Sequence, residues 1–391
     1  MEHKSSLVET PVGMIKIGMY VAEIDRPWLE TPFATQGFAI TSEEDIDFVA
    51  AHCQYVYVDP QLTQHESITK KRFQAKTTNS TSRLLKEIVA SREDLNKATI
   101  AMDQVFKGLR SQQAIKANQV EDAVRPLVEN VLKRGEALAA LMRMRAKSDY
   151  LMNHAMAVTI WATMVGRHMS YSREELNVLA MGATLADVGM ANLPSHILQK
   201  EEPLSREEEQ LVRSHVRSSV RIAEESGISD HRIIEIISAH HERHSGAGYP
   251  NHQSEKEIPI NARIVGIADT YDAMTSRRPY REAYSSFEAI SQLNAAKDIL
   301  FQSHLVDAFT QMIGIFPSGA LVELSSGEVA IVMSQNPHRR LQPEIMIVLD
   351  SAKKPYPSFV SENLAKLNSK LSIKRELQPG SFGIEAENFF L

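Results

Sequence analysis

Apolar residues recur at three- and four-residue spacing along residues 83–116 and 119–146, as in Leu84, Leu85, Ile88 and Val89, and helical patterning continues from 149 to 312. More than half of the chain is therefore expected to form amphipathic helices, so most functional groups must sit on a helix or on a short link between two. Clusters of Gly, Pro and Asn near 192, 203, 227 and 246–261 punctuate the run.

The flanks have a different texture. Residues 14–60 alternate short apolar runs such as MIKIGMYVAEI and QYVYVD with turn residues, which predicts short strands and one helix over about 42–52, opened by Ser42 with Asp45 in its first turn. Residues 62–82 are polar and read as a linker, and after Pro317 the runs ALVEL, GEVAIVMS and EIMIVLD predict a short antiparallel β appendix ending near residue 375. The expected architecture is mainly α: a small α/β N-terminal domain over 1–62, a linker and long connecting helices over 63–134, an all-α domain over 135–312, and a C-terminal β appendix and tail over 313–391. The long helices make a homodimer an expectation.

A formal net charge of −6 provides no general basic field for DNA, so an anionic ligand must be met by locally placed Arg or Lys. The single cysteine, Cys53, excludes an intrachain disulfide and a CxxC zinc site; it reads as a small buried hydrophobe and fits a reducing compartment. The N-terminal residues do not resemble a signal peptide, and no run approaches the roughly 20 apolar residues of a membrane span, so a cytoplasmic location is expected.

Histidines and aspartates punctuate the helical region: His154 in YLMNHAMAV, Asp187 in ATLADVGMANLP, His215 in VRSHVRSSV, His240 and His241 in ISAHHERHSGAGYP, and Asp269 in RIVGIADTYDAM. A divalent centre that activates water needs imidazoles and carboxylates converging from several rigid elements, and this spread suits that requirement. Simpler explanations stand beside it. Asp187 before Gly189 would suit a helix end, Asp269 would suit a cap, and His168, His196, His231 and His304 read as surface or satisfied core residues.

Two longer matches are more specific. HHERHSGAGYP resembles the HHExxxGxGYP signature of the HD-GYP phosphodiesterases, and IADTYDAMTSRRPYR follows at the distance expected in that family; GMYVAEIDRPWLETPFATQGFAI is similar to a domain of unknown function often joined to it. The resemblance implies an all-α HD-type domain holding two divalent ions, iron or manganese, and acting on cyclic di-GMP. It implies His154, Asp187, His215, His240, His241 and Asp269 as metal ligands, with Asp187 bridging and Asp187 and Asp269 as catalytic carboxylates. Arg278, Arg281, Asp272 and Tyr249 would meet the substrate. Gly246, Gly248, Tyr249 and Pro250 would shape a loop that in this family also contacts diguanylate cyclase domains. Motility and biofilm formation are frequent outputs of such proteins.

Three positions depart from the pattern. The His-Asp dyad reads Ala186-Asp187, the following Gly-Lys reads Gly189-Met190, and Tyr150 stands where some members carry a glutamate. An imidazole and a cation are thereby lost, and His244 is a candidate substitute ligand. Two readings follow: a phosphodiesterase, or a degenerate domain that binds cyclic di-GMP or a partner without cutting. Another cyclic dinucleotide is a third option, because metal and arginine chemistry does not select the base.

Overall fold

The computed structural model describes residues 7–26, 38–40, 43–60, 79–111, 113–144, 149–200, 202–276, 283–336, 339–366, 371–378 and 380–384. Near the N-terminus, strands β1 (Val8–Pro11), β2 (Tyr20–Ile24), β3 (Phe38–Ala39) and β4 (Tyr55–Val58) form an antiparallel sheet in the order β1-β4-β2-β3. Helix α1 (Glu43–His52) supplies Val49 to a small core with Ile15, Val21, Ile40, Cys53 and Val56. Ser42, expected to open α1, lies outside the described residues.

Helices α2 (Asn79–Arg110) and α3 (Ala117–Met144) pair as a long hairpin. Helix α2 starts within the segment expected to be linker, because its first residues, Asn79, Ser80, Thr81 and Ser82, are polar and carry no apolar period. A polar seam pins the pair: Ser91 Oγ donates to Asn130 Oδ1 at 3.0 Å, and Asn130 Nδ2 and Arg134 Nη2 donate to Asp94 at 2.8 and 3.1 Å. Helix α3 breaks at Arg134, φ −146° and ψ 41°, immediately before Gly135.

The helical body follows as α4 (Tyr150–His168), α5 (Arg173–Leu185), α6 (Ser195–Leu198), α7 (Arg206–Arg213), α8 (His215–Glu225), α9 (His231–Ala239), α10 (Ile260–Thr275), α11 (Ser286–Ala295) and α12 (Ser303–Ile313). Capping boxes at Ser172/Glu175, Ser205/Glu208 and Ser285/Glu288 start three of these helices. Helices α2 and α3 share one continuous apolar core with them.

Strands β5 (Leu321–Leu324), β6 (Val329–Ser334), β7 (Glu344–Leu349), β8 (Pro355–Asn363) and β9 (Ile373–Leu377) form an antiparallel sheet in the order β8-β7-β6-β5-β9. Along β6, Val329, Ile331 and Met333 enter the helical core, while Ala330 and Val332 enter a second cluster with Val322 and Ile345. The sheet is thus buried on both faces and packs against the helices, so it is more than an appendix. Its three inner strands are the ones the sequence announces. The two edge strands carry Pro355 and Pro357 or the charged run IKREL, as edges commonly do, and were not legible as strands.

Candidate metal centre

Five segments deliver the ionisable side chains: α4 carries His154, the link after α5 carries Asp187, α8 opens with His215, the end of α9 runs into His240 and His241, and α10 carries Asp269 and Asp272. Glycines allow the close packing this requires. A Cβ on Gly189 would stand 2.2 Å from the His215 carbonyl oxygen, and the Gly189 N–H donates to Ser219 Oγ at 2.9 Å, which seats the turn after Asp187 against α8. A Cβ on Gly266 would stand 2.5 Å from the His240 carbonyl oxygen, so α10 approaches the end of α9 only as glycine.

Asp187 lies at the centre. Its Oδ1 is 2.9 Å from His215 Nε2 and 3.5 Å from His240 Nε2, and its Oδ2 is 3.2 Å from His154 Nε2. It makes no side-chain cap bond to the turn Val188–Asn192, and Asp269 lies inside α10. Neither carboxylate is explained as a cap.

Two groups of potential ligands share Asp187: Asp187, His215, His240 and His241 in one, and His154, Asp187 and Asp269 in the other. Within each group one ligand atom per residue lies within 4.8 Å of all the others. His168, His196, His231 and His304 are exposed and belong to neither. His244 also falls outside both: its backbone N–H donates to the Leu300 carbonyl at 3.0 Å, and its side chain lines a separate small cavity with Arg263 and Phe301.

The donor set fits a cation. His215 and His240 direct Nδ1 at the carbonyls of Val212 and Ile237, at 2.6 and 2.8 Å, so Nδ1 carries the hydrogen and Nε2 presents its lone pair. Both Nε2 atoms are buried with no hydrogen-bond partner among the described residues, although Asp187 Oδ1 is close. Lone pairs and a carboxylate oxygen facing one another in a buried space are what a divalent ion reconciles.

His154 is held differently. Its Nδ1 is 2.7 Å from Asp272 Oδ2, which also accepts from Ser276 Oγ at 3.2 Å, and its Nε2 is 3.0 Å from Asp269 Oδ1. Asp272, expected among substrate-binding residues, is 4% exposed and lies within hydrogen-bond distance of the His154 ring, where it can orient that ring. Asp272→Asn keeps the shape and removes the charge; metal affinity measured by chelator competition is expected to fall about tenfold or more. An unchanged affinity would show that the ring needs no such support.

Burial opposes ionising Asp187, but contacts with His154, His215 and His240 overcome it and hold the carboxyl well below its usual range. Asp269 is likewise disfavoured by burial, yet His154 brings it down to about 2. Burial also opposes charging His154; Tyr150 and the three carboxylates outweigh it and raise the ring's pKa. Burial, reinforced by His240, pushes His241 well down.

The loop after His241 walls the site. Tyr249 lies over His241, ring centroids 4.7 Å apart, and Arg213 sits 4.9 Å from the Tyr249 ring centroid. Glu242, a residue the sequence reading passed over despite its place beside the histidine pair, is buried and accepts the backbone N–H groups of Asn251 at 2.7 Å and Gln253 at 3.1 Å. It ties down the loop that contains Gly246, Gly248, Tyr249 and Pro250. Arg278 and Arg281 lie outside the described residues.

Residues 124–303 match the family model described as HD domain, and residues 7–120 match one described as a domain of unknown function, DUF3391. Residues 124–303 are thus similar to the HD domain family. A cyclic di-GMP phosphodiesterase of Pseudomonas aeruginosa is 27% identical to it over 366 residues, covering 90% of this chain and 88% of that protein. A cyclic di-GMP phosphodiesterase response regulator of Xanthomonas campestris pv. campestris is 36% identical over 151 residues; the match spans 38% of this chain and only 39% of that relative's length. A solved HDGYP protein from Bdellovibrio bacteriovorus aligns with a TM-score of 0.47 at 15% identity, over 78% of this chain and 99% of that chain, too loosely to place any residue. Ala186, at the position where the sequence resemblance leads one to expect a histidine, is 2% exposed and packed in the helical core. Among the described residues, no helix is long and apolar enough to cross a membrane.

Proposed function

We propose that the chain is a metal-dependent phosphodiesterase that opens cyclic di-GMP to linear pGpG or to GMP. The observation that carries this is that the buried Nε2 atoms of His215 and His240, with no hydrogen-bond donor or acceptor assigned to them among the described residues, face Asp187 Oδ1. The names of the two similar proteins supply the substrate class. Asp187 would be the shared ligand of two ions, iron or manganese, to which imidazole and carboxylate donors are suited.

Ions held there supply Lewis acidity, which makes water a stronger nucleophile and draws charge from the phosphate. The chain's own part is placement. Asp187 and Asp269 align water against phosphorus, and Arg278 and Arg281 hold the phosphate oxygens through their guanidinium forks. Tyr249 closes the site beside the ligand. One P–O bond forms to the water oxygen, one ribose ester P–O bond breaks, and a water proton ends on the leaving ribose oxygen.

The two ligand groups are unequal. Asp187, His215, His240 and His241 make a set of four, whereas His154, Asp187 and Asp269 make three where the dyad would add an imidazole. The set of four would hold the tighter ion and the set of three the weaker one. This inequality, with Met190 in place of lysine, also favours the second reading: a degenerate domain that binds cyclic di-GMP, or docks a diguanylate cyclase domain through the loop of Gly246, Gly248, Tyr249 and Pro250. Protein purified without oxygen and loaded with iron or manganese is expected to convert cyclic di-GMP to linear product. Binding of both metal and nucleotide with no turnover would overturn the enzyme and leave the receptor.

A further inference from the structure

Tyr271 lies between Asp269 and Asp272 in sequence, but at about 100° per residue it projects about 160° around α10 from Asp269 and about 100° from Asp272. It is fully buried, edge-on to Trp161 and Phe309 at ring-centroid distances of 6.1 and 5.0 Å. Its hydroxyl accepts a hydrogen bond from Arg143 Nη2, in the last turn of α3. Arg143 Nη1 donates to Ser286 Oγ at 2.7 Å, and its guanidinium carbon sits 5.2 Å from the Trp161 ring centroid. On β9, Glu376 accepts the Phe287 N–H at 3.1 Å; burial raises its pKa, and Arg143 acts against that rise. One guanidinium thus joins the connecting hairpin to α10 and α11.

We infer that Arg143 is a positioning residue for the metal centre: by holding the Tyr271 hydroxyl it sets the rotation of α10, and with it the placement of Asp269 and the support that Asp272 gives His154. The lever is short. Side-chain ends lie about 5–6 Å from a helix axis, so a turn of about 10° moves a carboxylate by about 1 Å, whereas metal bonds hold to about 0.2 Å. This inference rests on the metal reading above.

The test uses the full chain, with manganese binding followed by electron paramagnetic resonance under exclusion of oxygen, and thermal unfolding measured in metal-free buffer. Tyr271→Phe keeps the ring and removes only the hydroxyl; Arg143→Met removes the cation, and Arg143→Lys keeps a donor. Tyr271→Phe and Arg143→Met are expected to weaken the lower-affinity manganese site, which contains Asp269, by about tenfold, with the tighter site unchanged and Arg143→Lys intermediate. If Tyr271→Phe binds both ions as the wild type does, or if both sites weaken together in step with the melting temperature, the inference is overturned. A wild type that takes up no manganese overturns the metal reading and this inference with it, whereas a wild type that binds beside unaltered variants overturns the inference alone.

Discussion

Asp187→Asn is expected to purify with under about a tenth of the wild-type metal and to lose turnover by roughly a thousandfold or more, because groups that act as a unit fail together. Asp187 is the one residue common to both ligand groups among the described residues, with Oδ1 toward His215 and His240 and Oδ2 toward His154. An amide fills the same volume, so the turn Val188–Asn192 and the seat of Gly189 against α8 need not move. What changes is charge and basicity: one end of the amide is a donor and cannot ligate, and no negative charge offsets a cation. Elemental analysis and a cyclic di-GMP assay on the same sample check this. A variant with full metal content would sink the assignment of Asp187 as the bridge.

The opposite change tests the incomplete group. Ala186→His is expected to raise tightly held metal from about one ion per chain to about two and to increase turnover at limiting metal by about tenfold or more. Ala186 is buried in the helical core, so the larger ring enters filled space and is expected to cost about 1–3 kcal/mol in the metal-free protein. Metal should return that loss, because ligands that bind only the folded state stabilise it. The distinguishing result is a rise in melting temperature on adding manganese that is larger for Ala186→His than for the wild type. If the variant binds no more metal than its parent, the missing imidazole is not what separates the two groups.

Much of the helical architecture was legible because period and caps are local. The inner strands β5, β6 and β7 were legible for a related reason: strands buried on both faces read as continuous apolar runs. The edge strands β8 and β9 bury less and tolerate proline and charge, so their residues carry no comparable mark. The histidine pair and the GYP loop stood out as an ordered motif. Glu242 could have been found there, since an acid beside two histidines invites a role, but its partners Asn251 and Gln253 are backbone groups that no motif displays. The resemblance implied that Asp272 meets the substrate; what only the fold displays is its 2.7 Å contact with Nδ1 of His154, a residue 118 positions away along the chain. Arg143 had no signal at all, being one basic residue at the end of a long helix.

The sequence by itself determined the kinds of donor present, the helices that carry them, and the absence of an imidazole at position 186, because residue identity and short-range periodicity are written in order along the chain. Tertiary structure alone decided that Asp187 faces three histidines at once, that the candidate donors among the described residues fall into a group of four and a group of three, and that Asp272 meets His154 while Arg143 meets Tyr271. Those outcomes depend on distances between segments far apart in sequence, which are set by how the helices pack, down to the single Cβ that Gly189 and Gly266 leave out.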